Sequence, residues 1–209
     1  MLVLLTALLM VPTESPTVQQ RHFRVSVNGK SAGTYTQVIT TRDLTTEVKS
    51  TSTVDTKVFV VKYHYSFDGM EEWIGRGNVL QLYQVVANLN DGGSWVKSTV
   101  APSKGKLLMK SAIGERSAPR EAWTSTYWCL PSKDIRDKPL TLLNFELGKP
   151  EQITLTRIGE ETINGTKCTH WKAVGLSTVD LWYDSDERLV RRSMIRKGQS
   201  TVVDLVSIQ

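Results

Sequence analysis

Between Lys57 and Phe67 the chain alternates with a period of two. Phe59, Val61, Tyr63, Tyr65 and Phe67 share one parity, and Lys62, His64 and Ser66 share the other. Successive side chains of a strand point to opposite faces, so five large residues in alternation line a buried surface that only a sheet can provide. Other runs repeat the pattern. RHFRVSV puts Phe23, Val25 and Val27 on one face, and GTYTQVITT alternates Tyr35, Gln37 and Ile39 against threonines. Turn signals separate the runs: Asn28-Gly29, Asp68-Gly69 (read as the end of the Lys57–Phe67 strand), Asp91-Gly92-Gly93 and Asn164-Gly165. Asn-Gly favours a tight hairpin because both central residues tolerate positive φ. Val, Ile and Thr make up 54 of the 209 residues, a β-branched content that suits sheets better than helix bundles. These features predict an all-β fold. It is an antiparallel meander of about ten to twelve strands curled into a barrel or half-barrel, since a long meander must manage its edges.

Two segments break the pattern. Residues 115–139 contain Pro119, Pro131 and Pro139, the aromatic stretch TSTYWCL, and a helical turn signal at Ser132 to Arg136, and read as a short irregular or helical insert. The chain opens MLVLLTALLMV, too short to span a bilayer but the length of a signal-peptide core. PTESPTVQQ follows as an unstructured lead. No Lys or Arg precedes the apolar run, and Pro16 follows the nearest small-x-small site, so whether the segment is cleaved stays open. The expected organisation is a signal-like segment and lead over 1–19 and one β-barrel-like domain over 20–209, periplasmic or secreted.

Several chemistries are missing from the sequence. No phosphate-binding glycine loop, CxxC or HxxxH occurs. His22, His64 and His170 are scattered, and Cys168 and His170 lie about 7 Å apart along a strand, too far for a direct hydrogen bond. Asp180, Asp184, Asp186 and Glu187 lack EF-hand spacing and fit a strand and turn surface. The net charge of +5 is mild, and the clusters RRSMIRK and KGKLLMK lack interleaved aromatics. They suit a solvated strand face or weak attraction to an anionic membrane surface better than nucleic acid. No catalytic residue, cofactor or metal is assigned.

Cys129 and Cys168 enclose 38 residues, and in an oxidising compartment they would form a disulfide that stabilises by ~3–4 kcal/mol. The alternative is two separate buried thiols. The six tryptophans are either core filling or the lining of an apolar cavity inside a curved sheet. The candidate cavity-lining set is Tyr63, Tyr65, Phe67, Trp73, Trp128 and Trp182, expected mostly on the concave side. Trp182 is the weak member, because its parity is opposite that of Leu181 and Tyr183.

The segments TSTYWCL, LLNFELGKPEQITLTRIGEETINGTKC and VDLWYDSDERLVRRSMIRKG, preceded by VNGKSAG, resemble an uncharacterised family of bacterial envelope proteins, domain-of-unknown-function family 6134. The DLWYD hairpin is similar to one in periplasmic lipoprotein carriers. Where the family pattern has Asn after Tyr127-Trp128, this chain has Cys129, so a disulfide is this chain's own feature. The resemblance implies export and an antiparallel barrel, open or closed, and no catalytic residues.

Three functions fit. The first is a non-enzymatic module whose curved sheet binds a lipid or other apolar molecule. The second is a structural or interaction protein of the envelope, with a filled barrel and a protein partner. The third is an enzyme of unknown reaction on the concave face. A cavity of ~300–1,000 Å³ separates the first from the second.

Overall fold

In the computed structural model, residues 15–58, 61–75, 80–136 and 138–209 are described. The apolar run at the start of the chain, up to residue 14, and Phe59 lie outside the described residues. The strands are β1 (Thr17–Val27), β2 (Lys30–Arg42), β3 (Thr45–Val58), β4 (Val61–Ile74), β5 (Gln81–Asp91), β6 (Ser94–Ser103), β7 (Lys106–Ser111), β8 (Gly114–Ala118), β9 (Trp123–Thr124), β10 (Leu140–Asn144), β11 (Lys149–Ile163), β12 (Thr166–Val174), β13 (Thr178–Tyr183), β14 (Leu189–Arg196) and β15 (Gln199–Ile208). Strand β1 already begins inside the segment expected to be an unstructured lead.

All fifteen strands of the described residues belong to one sheet, more than the ten to twelve expected. Its order places β1 beside β15 at the centre, with β2 to β8 running out on one side and β14 to β9 on the other. Every pairing is antiparallel except β9 with β10. The sheet is curled but not closed, with β8 and β9 as its edges. The curl brings β7 and β8 against β11. There Ser111 Oγ donates to the Gly148 carbonyl at 2.7 Å.

Local chemistry explains the hairpins. Asn28 and Gly29 take φ of 49° and 76°, and Asn164 and Gly165 take 50° and 84°, as a tight hairpin requires. The run Lys57–Phe67 is not one strand. It divides between β3 and β4, with Val58 opposite Val61. Asp68-Gly69 is not a turn either. It lies in the middle of β4, where the Phe67 ring covers Gly69. A Cβ on Gly69 would lie 2.6 Å from the Phe67 ring, so this glycine makes room for an aromatic side chain.

Alternation then sets the interior. On β4, Phe67, Gly69, Glu71 and Trp73 form one buried row. On β1, Arg21, Phe23, Val25 and Val27 do the same. Two inner clusters result. One gathers Phe23, Tyr35, Trp171, Leu181 and Tyr183 with Tyr127 of the insert. The other gathers Phe67, Trp73, Leu82, Met109 and Phe145 with Trp128. A small outer cluster holds Ile163, Cys168 and Val190, with Trp182 packed against it.

Candidate functional site

The segment between β8 and β10 crosses the concave face and fills most of it. Trp123, Thr124, Thr126, Tyr127, Trp128 and Leu130 are all buried. Its backbone needs hydrogen-bond partners in an apolar interior, and inward-pointing polar residues of the sheet supply them. Gln37 Nε2 and the Tyr35 hydroxyl donate to the Thr126 carbonyl at 3.3 and 3.2 Å. The Tyr183 hydroxyl donates to the Tyr127 carbonyl at 2.9 Å. Arg21 Nη1 donates to the Trp128 carbonyl at 2.7 Å. Tyr127 sits at φ 54°, a region bulky residues rarely adopt. It is held there by that bond and by an edge contact with Trp123, ring centroids 5.0 Å apart.

Glu71 ties the same segment to β4. It accepts from Trp73 Nε1 at 3.0 Å, from Thr124 Oγ1 at 2.9 Å and from Thr126 Oγ1. Burial pushes its carboxyl up to about 7, although the three donors pull the other way.

At one end of the insert an open cavity of about 420 Å³ remains. Trp73, Leu80, Trp128, Leu130 and Ile135 supply its apolar lining. Arg21, Glu121, Asp134, Arg136 and Glu187 supply its polar lining. A short 3-10 helix, Lys133–Ile135, forms part of the rim, at the helical turn read from the sequence. Arg136 is fixed by the Pro131 carbonyl at 2.6 Å and by both Glu187 oxygens, and lies over the Trp171 ring at 5.8 Å.

The opposite end is nearly filled. Tyr63 and Tyr65 face a void of only about 50 Å³. Lys197 lies over the Tyr63 ring at 4.8 Å and Arg196 over Tyr65 at 4.5 Å. Asp91 holds Lys197 at 2.9 Å and Arg196 at 3.3 Å, and accepts from the Tyr63 hydroxyl. Phe67 and Tyr65 border a further void of about 30 Å³ against Phe145.

The residues read from the sequence as one aromatic surface are therefore divided. Trp73 and Trp128 meet in the large cavity. Tyr63, Tyr65 and Phe67 lie on the same inward row of β4, where Phe67 is buried and the two tyrosines are half-buried beside small voids. Trp182 is on the convex face, so its expected concave placement is corrected. It stacks on His170 with centroids 4.3 Å apart and borders a shallow groove with Arg191 and Asp204. His170 Nε2 lies 2.8 Å from Asp180 and its Nδ1 2.8 Å from Glu161.

The expected disulfide is also corrected. Cys129 and Cys168 are free thiols. Cys129 packs against the inner cluster of Phe67 and Trp73, whereas Cys168 belongs to the outer cluster. Desolvation raises the pKa of both thiols.

Arg21, Gln37 and Glu71 are the polar residues that sequence reasoning left unused. Their signal was parity: Gln37 lies between Tyr35 and Ile39, Glu71 between Gly69 and Trp73, and Arg21 one alternation before Phe23.

A family model described as Domain of unknown function (DUF6134) matches residues 23–206. No curated protein matches the chain. Among solved structures, the chain is similar to a β-barrel-like protein of domain of unknown function DUF1849 from Brucella abortus. The two are 8% identical, with 92% of this chain and 97% of that chain covered and a TM-score of 0.61. A DUF1329 family protein from Desulfovibrio piger is 14% identical over 93% of this chain and 85% of that one, with a TM-score of 0.19. A putative outer membrane lipoprotein-sorting protein domain from Vibrio parahaemolyticus is 10% identical over 92% and 84%, also at 0.19. The first supports the barrel-like fold, and the other two are too dissimilar in shape to bear on it.

Proposed function

The chain belongs to the DUF6134 family, and we propose that it is a non-enzymatic protein of the cell envelope that holds a lipid or other apolar molecule against Trp73 and Trp128. The observation that carries this reading is the cavity of about 420 Å³ left between β4 and the insert. It falls within the ~300–1,000 Å³ of small-molecule sites. Indole rings offer such a ligand large apolar area with little conformational entropy to lose. Export, in this reading, rests on the apolar MLVLLTALLMV segment of the sequence.

A second reading, a structural or interaction protein, is favoured by the way the insert fills the remaining concave face, leaving voids of only about 50 and 30 Å³. An enzymatic reading gains little. Glu71 is buried and accepts from three protein donors, and it is not among the residues that line the large cavity.

Native mass spectrometry of protein purified from its source cell tests the proposal. The expected spectrum shows chain carrying one added lipid-like mass. Bare chain alone, both as purified and after incubation with a lipid extract, would favour the filled-interior reading.

A further inference from the structure

Arg21 occupies the inward row of β1, one alternation before Phe23, and is only 5% exposed. A guanidinium has five N–H donors. Two are engaged: Nη1 with the Trp128 carbonyl and Nε with Gln19 Oε1, both at 2.7 Å. Among the described residues Nη2 has no hydrogen-bond partner, and no carboxylate lies within ion-pair distance of the group. The neighbouring cations differ. Arg136 is neutralised by Glu187, and Arg188 by Asp184 and Asp186. A buried charge is costly unless it is paired, and among the described residues Arg21 is the cation of this cavity with no carboxylate in contact. Trp128 adds a second unused donor, because its buried Nε1 has no acceptor among the described residues.

We infer that Arg21 is the anion-binding residue of the Trp73–Trp128 cavity, and that the ligand is an amphiphile whose carboxylate or phosphate head sits on this guanidinium while its apolar tail lies along the indoles. This rests on the proposal that the cavity holds a ligand. The planar fork of arginine pairs with either head group through two parallel hydrogen bonds, which lysine cannot reproduce. Glu121, Asp134 and Asp186 also line the cavity, but all three are exposed. Water screens their charge, whereas Arg21 acts in a low-dielectric interior where an anion gains most.

Titration calorimetry on the full chain at about pH 8, where the carboxylate probe is ionised, tests the inference with dodecanoate, dodecyl phosphate, dodecanol and inorganic phosphate. The charged amphiphiles are expected to bind at least about tenfold tighter than dodecanol, the range of one charge-assisted hydrogen bond. The tighter of the two identifies the head. Arg21→Met is expected to bring dodecanoate and dodecanol together, and Arg21→Lys to retain part of the difference. Equal affinity of the native chain for dodecanol and both charged amphiphiles overturns the role of Arg21 and leaves the cavity reading standing. This comparison needs no variant to fold. Inorganic phosphate binding as tightly as dodecyl phosphate overturns the amphiphile. Binding of no probe by the folded protein overturns the cavity reading, and the inference with it.

Discussion

Trp73 and Trp128 meet edge to face in the lining of the cavity, with ring centroids 5.8 Å apart and planes inclined at 66°. One ring comes from β4 and the other from the insert, so this contact joins wall and plug. Both rings are also buried members of the second inner cluster. Trp128→Ala is therefore expected to lower stability by ~3–5 kcal/mol, because a large ring leaves a void, and to weaken retention of an apolar ligand as well. Urea denaturation with and without dodecanoate checks both effects. A loss below about 1 kcal/mol would mean that the insert collapses freely around the gap.

Glu71 makes stability depend on pH. Unfolded, its carboxyl releases the proton near 4.5, and folded near 7. The folded chain thus binds more protons between those values, and stability falls as pH rises through the window, on the order of 3 kcal/mol from this one group. Glu71→Gln is expected to remove that slope. Urea midpoints of both proteins at about pH 5 and about pH 8 measure it. Equal slopes would show that Glu71 is not held neutral by burial.

The two free thiols predict indifference to reductant. A bridge closing this loop would add ~3–4 kcal/mol, so dithiothreitol would lower the unfolding midpoint if one existed. The expected result is an unchanged midpoint, with both thiols reacting fully with Ellman's reagent only after denaturation.

Trp182→Ala reports on the convex face. Losing the His170 stack is expected to cost about 0.5–1.5 kcal/mol. Dodecanoate affinity should be unchanged, since Trp182 does not line the large cavity. Loss of binding in this variant would move the site to the outer groove.

Much of the architecture is written in alternation and turns. Asn28-Gly29 and Asn164-Gly165 form the turns their residue types demand, and the prolines of 115–139 mark the segment that leaves the meander. Two features of the fold escaped local reading. Strand β9 has only two residues and pairs in parallel with β10, so it depends on a contact that no local pattern encodes. Gly69 looks like a turn residue but serves as space for the Phe67 ring. The site residues were hidden differently. The parity that turns Phe23, Val25 and Val27 inward also turns Arg21 inward, and the parity of Trp73 carries Glu71. A charged side chain on an apolar row signals a buried polar role. What it binds depends on the insert that folds over it, more than 50 residues away in sequence. The cysteines were misjudged because a count of two says nothing about faces, and they lie in different clusters.

The central claim is that an apolar tail lies in the cavity against Trp73 and Trp128. A crystal structure of the protein grown with a bromine-labelled dodecanoate tests it most directly, through the anomalous signal of the bromine. The account predicts a single bromine peak inside the cavity, with the carboxylate on Arg21. Bromine peaks confined to the convex face or the lattice, with the cavity filled by water alone, would contradict it.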